Sequence, residues 1–387
     1  MAAVRIVLAD GGSFVGYPQG GGHWSCFLQY LFGLDALGHE VFWLEVLSSC
    51  GNRARDQRSI DIFFKRFERY GFKDRCAVLL YDQDIAEPTI ETAQAYGMSK
   101  DRIREIARDA DMLWDFACGL QQPLLSLFKR RVLIDVDPGH LQESALICNM
   151  GIHDHDVFLT VGSKIHDTNC EVPTLGLTWH RFMPFVYLPM WDIAPDPGEH
   201  APLTSVTQWT WEQLWLDGRV LSVSKRDAYL RYLSLPQKTT RPFELAVNIH
   251  RRDHTGDREL LLRHGWKLVD PHRVAGSPAH YQRYIRCSRG EFQCPKPIHK
   301  LLKTGWFSDR SACYLATGRP VLAGETGFSD HLPTGRGLIA FNSLEEALGG
   351  VAEIDGNYPK HMRAARELAE EYLNAEKTLP AMLSACA

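Results

Sequence analysis

The part of this sequence that most restricts its fold is a short apolar run followed by a glycine-rich loop, a helical pattern and a second strand. Residues 4–9 are apolar, and the fourteen residues from Asp10 to His23 include six glycines. A helical pattern then extends from Trp24 to Leu37 and ends at Gly38, a residue type common just past helix ends. Residues 40–44 follow as the second strand. This order predicts the opening unit of a parallel α/β sheet.

The same alternation continues along the chain and is interrupted once. Strand-like apolar runs separated by helical patterns recur up to residue 160 and start again at residue 205. The segment from Pro184 to Pro202 has five prolines, a density that breaks helices and interior strands. A length of 387 residues also favours two domains. We therefore predict an α/β protein with two Rossmann-like domains facing each other across a cleft. Its parts are residues 1–190, residues 204–358, and a final helical segment, residues 359–387, that can cross back to the first domain.

The composition excludes several other classes of protein. Hydrophobic residues make up 45% and charged residues 23%, an ordinary globular balance. No apolar run is long enough to span a membrane. The N-terminus lacks the basic start, longer apolar core and cleavage site of a signal peptide. The ten cysteines contain no CxxC pair, which favours reduced thiols. These features predict a cytoplasmic protein with no membrane partner.

The charged residues are unevenly distributed. The net charge is −4, yet residues 1–203 have 18 basic and 27 acidic residues while residues 204–387 have 25 and 20. The basic excess is largest in residues 219–310, with 19 basic against 8 acidic residues. This pattern is typical of a second half that holds a phosphate-bearing ligand, and equally of a solvated charged surface.

Two polar residues at strand ends of the first half are candidates for catalysis. The glycine spacing does not fit the dinucleotide pattern GxGxxG, but His23 falls near the carboxyl end of the first strand, where α/β folds bind ligands. There it can act as a general base, or only pack at the start of the helix. Asp137 ends another strand and can orient an imidazole, or only cap the turn before Pro138. The run His153–Asp156 has no third ligand at a fixed spacing, so no metal site is predicted.

The stretch from Thr304 to Val321 is the most informative in the second half. A polar cluster, residues 308–311, opens an apolar helix that ends at Gly318 before a strand. Helix N-terminal amides, an arginine and two hydroxyls together can form a diphosphate site. The alternative is an ordinary helix capped by Ser308 or Asp309. A second flexible polar loop, residues 324–329, follows the next strand.

Residues 305–321 resemble the nucleotide-binding segment of GT-B glycosyltransferases of the CgeB-like and family-1 types, with its helix, small residues, glycine and Pro-Val strand. Residues 338–347 and 358–372 continue this resemblance, and the Gly-Gly-Gly-His run ending at His23 resembles the first unit of the same fold. The resemblance covers both ends of the chain well and the middle poorly. It departs at Cys313, where many retaining members have a ribose-binding glutamate.

The resemblance implies a hexosyl- or pentosyltransferase, with a nucleotide-diphosphate sugar such as a UDP-sugar against the second domain and an acceptor hydroxyl against the first. It implies that His23 is the base, that Asp137 orients it, and that Arg310 with the helix amides stabilises the leaving diphosphate without a metal or other cofactor. The implied donor-binding residues are Ser308, Asp309, Arg310, Ser311, Gly327, Phe328, Ser329 and Glu291. The implied acceptor-binding residues are Gly21, Gly22 and Trp24. The sugar, the acceptor (a small molecule or a modified nucleobase), the stereochemistry and the oligomeric state stay open.

Two other classes of function fit the same sequence. One is a nucleic-acid-binding or DNA-modifying protein that uses the basic segment from Arg219 to Arg310. Strongly salt-dependent DNA binding would identify such a protein. The bases of the nucleic acid would stack on aromatic side chains in or near that segment: Trp209, Trp211, Trp215, Tyr281 and Tyr284. The other is a non-catalytic GT-B fold, which would bind a nucleotide without turnover.

Overall fold

The framework of the protein is a pair of mostly parallel β-sheets, one of eight strands and one of six. The computed structural model describes residues 3–85, 87–211, 213–216, 219–249 and 256–387. In both halves the strands alternate with helices, which confirms the predicted α/β class. No helix in these ranges is long and apolar enough to cross a membrane.

The first sheet uses strands from the first half of the chain. Its strands are β1 (Arg5–Asp10), β2 (Glu40–Ser48), β3 (Cys76–Tyr81), β4 (Gln94–Tyr96), β5 (Met112–Phe116), β6 (Arg131–Asp135), β7 (Val157–Thr160) and β8 (Trp179–Arg181). The helices between them are α1 (Gly21–Ala36), α2 (Arg53–Arg69), α3 (Lys100–Asp109) and α4 (His140–Ala145). The strand order is β4-β3-β2-β1-β5-β6-β7-β8, and all pairs are parallel except β3 with β4. Residues Ile6 to Ala9 of β1 are at most 2% exposed, as expected for a central strand covered on both faces.

The second sheet repeats this arrangement with strands from the second half. The strands of this half are β9 (Leu203–Gln208), β10 (Gln213–Leu216), β11 (Arg219–Ser222), β12 (Phe243–Asn248), β13 (Lys267–Val269), β14 (Gly290–Gln293), β15 (Val321–Gly324) and β16 (Leu338–Phe341). Its helices are α5 (Arg226–Leu230), α6 (Asp257–Arg263), α7 (Pro271–Ala275), α8 (Pro278–Arg286), α9 (Pro297–Leu301), α10 (Asp309–Ala316) and α11 (Leu344–Gly356). The order is β13-β12-β9-β14-β15-β16, all parallel, while β10 and β11 form a separate antiparallel hairpin.

Two further helices follow the second sheet, α12 (Tyr358–Tyr372) and α13 (Ala375–Ala385). Helix α12 packs against α10, whereas α13 packs against α1 of the first half. Gly33 permits this second contact, because a Cβ there would lie 3.2 Å from the Cβ of Ala375 and closer still to Leu379. The last helix is therefore part of the same core as the first sheet.

Each sheet has a topological switch point, where successive strands stop being added at one edge of the sheet and begin to be added at the other. In the first sheet this point lies between β1 and β5, and in the second between β9 and β14. Loops at the carboxyl ends of strands diverge at such a point and leave a crevice, which is where α/β proteins bind ligands. The first half supplies the glycine-rich loop after β1, and the second half supplies the residues that end β9.

Candidate functional site

A cleft of about 790 Å³ lies between these two loops and has walls from both halves of the chain. The first half contributes the glycine-rich loop and the start of α1, from Gly11 to His23. The second half contributes the end of β9, the end of β12, the segment around α7 and the start of α10. The side chains on this wall are Val206, Thr207, Gln208, Trp211, Asn248, Pro271, His272, Ala275, Tyr281, Asp309 and Arg310.

The glycine-rich loop is held in place by two buried acids. Asp10 accepts a hydrogen bond from the amide of Ser13 at 2.6 Å. Glu45, at the neighbouring position on β2, accepts from the amides of Phe14 at 2.6 Å and Val15 at 2.7 Å. Burial, and then the charge of Asp10, raise the pKa of Glu45 to about 8. These bonds fix the loop as one wall of the cleft.

Helix α1 begins at this wall without a side-chain cap. Its N-cap residue is Gly20, which has no side chain to accept from the amides of the first turn. The first backbone bond of the helix runs from the amide of Trp24 to the carbonyl of Gly20, so the three preceding amides have no partner within the helix. Gly21, Gly22 and His23 all line the cleft, where such amides favour a negatively charged group. Gly21 is also a packing residue, because a Cβ there would collide with the carbonyl oxygens of Ala275 and Ser277.

Arg310 on the opposite wall is held by Glu291, which lies beneath it on β14. Glu291 is fully buried, forms an ion pair with Arg310 Nε, and accepts a hydrogen bond from Ser311 Oγ at 2.6 Å. Arg310 Nη1 donates to the carbonyl of Val206 at 2.8 Å. Its Nη2 atom is buried and has no hydrogen-bond partner among the described residues. The guanidinium is thus fixed in place, and its Nη2 can still donate a hydrogen bond to an anion.

Two lysines lie close to this positive region without lining the cleft, and neither was singled out from the sequence. Lys225 lies near Arg310 and Lys296, and its Nζ is 5.7 Å from the centre of the Trp306 ring. Burial, and then the charges of Arg310 and Lys296, lower the pKa of Lys225 to about 7. Because the charged form of Lys225 is disfavoured here, an anion bound nearby would stabilise the protonated lysine.

His23 faces the cleft from the first turn of α1, but its carboxylate neighbours differ from the prediction. The side chain of His23 is exposed to the cleft, and the protein packed around it lowers the pKa of the imidazole, while Asp10 and Asp309 oppose this effect. A lowered pKa keeps the imidazole neutral at pH 7, the form that accepts a proton. Among the described residues the carboxylates acting on His23 are therefore Asp10 and Asp309, not Asp137.

Asp137 instead joins the two halves of the chain. It forms an ion pair with Lys296 and lies 3.3 Å from both His140 Nδ1 and His299 Nε2. Burial opposes its ionisation, but Lys296, His140 and His299 outweigh burial and hold the pKa of Asp137 well below its usual range. Lys296, His140 and His299 thus already engage its carboxylate, and the role of orienting His23 stays a prediction.

Trp24, which the resemblance implies is an acceptor-binding residue, is buried in the structure. Its ring is fully buried, stacks on Phe14 at 4.2 Å between centroids, and donates from Nε1 to the carbonyl of Tyr17 at 3.2 Å. It is a core residue of the first half and lines neither the cleft nor its edge.

The loop after β15 does not line the cleft either. Phe328 is 1% exposed and packs on Phe307, with ring centroids 5.3 Å apart. Gly327 packs against the side chain of Lys164 from the first half, and Lys164 pairs with Asp330. Ser329 is exposed outside the cleft. This loop therefore joins the two halves, and its predicted contact with the donor stays a prediction.

Three other predicted donor residues act from below the surface. Ser308 precedes α10 and is buried, but its side chain makes no cap hydrogen bond. Ser311 and Glu291 are fully buried and position Arg310. Of the predicted donor set, the structure places Asp309 and Arg310 on the cleft surface.

The aromatic residues proposed to stack on nucleic-acid bases are mostly buried. Trp209 and Tyr281 are each 1% exposed, and Tyr284 donates its hydroxyl to Glu244 at 2.9 Å. The side chain of Trp215 lies outside the described residues. Trp211 is 54% exposed and lines the cleft. Trp211 is thus the most exposed of the four whose side chains the structure describes, and base stacking needs an exposed ring face.

Several cleft residues were not singled out from the sequence, although a signal for them exists. Gln208 and Asn248 are the last residues of β9 and β12, and His272 follows β13 within α7. In a parallel sheet every residue at a carboxyl strand end is a candidate for the ligand site. Among the described residues, no three His, Cys, Asp or Glu side chains converge in a way that could hold a metal ion.

Two facing Rossmann-like units with a cleft between their switch points define the GT-B class of folds, and solved structures of that class match the whole chain. HepE from Anabaena, in complex with UDP and glucose, is 11% identical with a TM-score of 0.58, over 98% of this chain and 99% of that one. An alpha-glucosyltransferase in complex with UDP and a 13-mer DNA containing an HMU base is 11% identical with a TM-score of 0.61, over 100% of both chains. Sucrose-phosphate synthase from Thermosynechococcus elongatus is 10% identical with a TM-score of 0.54, over 98% of this chain and 97% of that one.

No protein-family model matches the sequence, and no curated protein matches it significantly. At these identities the structural matches establish the fold. The protein has the GT-B fold, and its nearer relationship to the CgeB-like type stays a prediction.

Proposed function

We propose that this protein is a glycosyltransferase that binds a UDP-sugar in the cleft and transfers the sugar to an acceptor hydroxyl. The observation that carries this proposal is a pair of anion-binding groups, one from each half of the chain, on the walls of one cleft. The uncapped start of α1 provides free amides, and Arg310 provides a guanidinium with an unpartnered Nη2. A diphosphate bound between them would complete both groups.

The nucleotide assignment rests on size, wall chemistry and the structural neighbours. A cleft of about 790 Å³ is within the range of small-molecule sites. Beyond the anion-binding groups it has the rings of Tyr17 and His272, 6.1 Å apart, which can pack against a base. HepE and the alpha-glucosyltransferase are both solved with UDP, so UDP is the nucleotide we assign.

The chemistry proposed for the site is a direct transfer to oxygen. His23 takes the proton of the acceptor hydroxyl as that oxygen bonds to the anomeric carbon of the sugar. The bond from the anomeric carbon to the phosphate oxygen breaks, and UDP leaves with the bonding electrons. Arg310, Lys225 and the amides of α1 stabilise the negative charge that grows on the diphosphate. Asp10 and Asp309, which favour protonation of His23, stabilise the imidazolium that forms.

A thermal-shift screen tests the donor site. We expect UDP to stabilise the protein more than GDP, TDP, CDP or ADP does. At a hundredfold excess over its dissociation constant, UDP should raise the free energy of unfolding by about 2.7 kcal/mol. Arg310→Ala should lose this stabilisation. Arg263→Ala, which removes an exposed arginine of α6 outside the cleft, should retain it. A protein that no nucleoside diphosphate stabilises would contradict the proposal.

Turnover separates an enzyme from a nucleotide-binding protein. Incubation with UDP-glucose and other UDP-sugars should release UDP, by slow hydrolysis without an acceptor and faster with one. Binding of UDP with no release from any UDP-sugar would support the non-catalytic alternative instead.

A further inference from the structure

A second, smaller cavity of about 130 Å³ adjoins the cleft and shares His23 and Asp309 with it as walls. Its other walls come from both halves of the chain and include Cys26, Val136 and several aromatic side chains. A group bound there would lie next to the proposed base, on the side away from the nucleotide. This cavity therefore offers space for an acceptor directly beside His23.

The helix α1 explains why this cavity has one polar end. His23, Phe27 and Tyr30 are spaced four and three residues apart and therefore lie on one face of the helix. The thiol of Cys26 lies near Asp309, and burial together with this carboxylate raises the pKa of that thiol well above its usual range. Burial, and then the nearby Cys26 and Asp309, raise the pKa of the Tyr30 hydroxyl, so it stays a neutral donor. The polar groups that face the cavity are thus gathered near His23 and Asp309, and the remaining walls are apolar.

We propose that this cavity is the acceptor subsite and that it takes a single aromatic or heteroaromatic ring carrying a hydroxyl or hydroxymethyl group. The inference rests on the glycosyltransferase function proposed above. The volume suits a single ring, since an enclosed cavity of roughly 150 Å³ lined by apolar side chains binds benzene. Rings of Phe27, Tyr30, Phe185, Trp306 and Phe307 surround the space, and aromatic walls favour a flat guest through edge and face contacts.

The same walls disfavour a sugar as the group inside the cavity. A sugar ring has hydroxyls around its whole rim, and those placed against apolar walls would lose their hydrogen bonds to water without replacement. Each such buried, unpaired hydroxyl costs about 1–3 kcal/mol. A ring with one hydroxyl avoids this cost, because that hydroxyl meets His23 at the polar end. Transfer then follows the reaction proposed above. The oxygen of the acceptor's hydroxyl group bonds to the anomeric carbon, its proton passes to His23, and UDP leaves.

Saturation-transfer NMR on the UDP-saturated protein tests the subsite without requiring the correct sugar. We expect signals from benzyl alcohol and from a hydroxymethylpyrimidine, and weaker ones from methyl glucoside and 2-naphthalenemethanol. Val136→Phe places a ring in the cavity and should reduce the benzyl alcohol signal at least fivefold. Val220→Phe, on an exposed position of β11 outside both cavities, is the matched control and should leave it unchanged.

The outcomes separate this inference from the proposed function. If UDP still stabilises Val136→Phe but the benzyl alcohol signal persists, or if methyl glucoside binds equally well, the subsite is wrong while the donor site stands. If UDP does not stabilise even the wild-type protein, the glycosyltransferase proposal fails and this inference with it. Should Val136→Phe not fold, Tyr30→Phe serves instead, and it should weaken phenol and benzyl alcohol but not toluene. An equal loss for toluene would overturn the assignment.

The source of the ring is decided by a second arm with a UDP-sugar present. The same hydroxymethylpyrimidine is offered free and within an oligonucleotide, and the glycosylated product is measured by mass spectrometry. Faster reaction of the free compound identifies a small-molecule acceptor, and faster reaction of the oligonucleotide identifies a base of a nucleic acid. Both support the subsite, whereas transfer to methyl glucoside alone contradicts it.

Discussion

Donor binding should weaken steeply above pH 7, because it depends on a lysine that is half protonated there. Burial and the neighbouring Arg310 and Lys296 lower the pKa of Lys225 to about 7. A bound diphosphate favours the charged lysine, so binding takes up a proton whenever the free protein has lost it. Affinity is therefore complete below pH 7 and is lost as the pH rises. The loss approaches tenfold, or about 1.4 kcal/mol, per pH unit.

Isothermal titration with UDP-glucose between pH 6 and 8.5 measures this dependence. This ligand keeps a constant diphosphate charge over the range, so the protein alone titrates. From the pKa of about 7, the dissociation constant should rise about 30-fold between the two ends. Lys225→Arg keeps its charge at every pH and should show a nearly constant dissociation constant. A flat wild-type profile, or the same slope in Lys225→Arg, would refute the reasoning.

Three further changes test other parts of the site. Glu291→Gln removes the buried partner of Arg310 and should lower the free energy of unfolding by about 3–5 kcal/mol, measured by denaturant titration; an unchanged midpoint would contradict the proposed ion pair. His23→Gln should reduce the transfer rate at least about 100-fold while UDP affinity changes less than about twofold. The wild-type rate should fall in acid with an apparent pKa below 6.5, since the pKa of His23 is lowered and the neutral imidazole is the active form; an apparent pKa above 6.5 would contradict this. Gly21→Ala should separate the two halves, because its Cβ collides with the carbonyl of Ser277, and small-angle scattering should show a larger radius of gyration.

Much of the fold could be predicted because it depends on local patterns. Apolar runs identified the central strands, and the prolines between residues 184 and 202 fall between the two sheets. The start of α1 was predicted three residues late, since Gly21 belongs to the helix for a tertiary reason, its contact with Ala275 and Ser277. The hairpin of β10 and β11 gave no pattern that separated it from a loop.

The candidate site was predicted only in part because side-chain partners depend on how the two halves pack. His23, Asp309 and Arg310 lie in the cleft because strand and helix ends converge there by topology. Asp137 has the residue type and strand position of an orienting carboxylate, but Lys296 is 159 residues away in sequence and becomes its partner only in the folded chain. Trp24 shows the same limit, since helical spacing does not tell a core face from a cleft face.

Hydrogen–deuterium exchange with and without UDP tests the central claim, that one nucleotide is held by both halves of the chain. Saturating UDP should slow exchange in the glycine-rich loop and the start of α1, residues 11–24, and also in residues 206–211, 271–281 and 308–312. Arg310→Ala should show neither effect at the same UDP concentration. Protection confined to one half, or no protection at a concentration that stabilises the protein, would contradict a donor site between the two sheets.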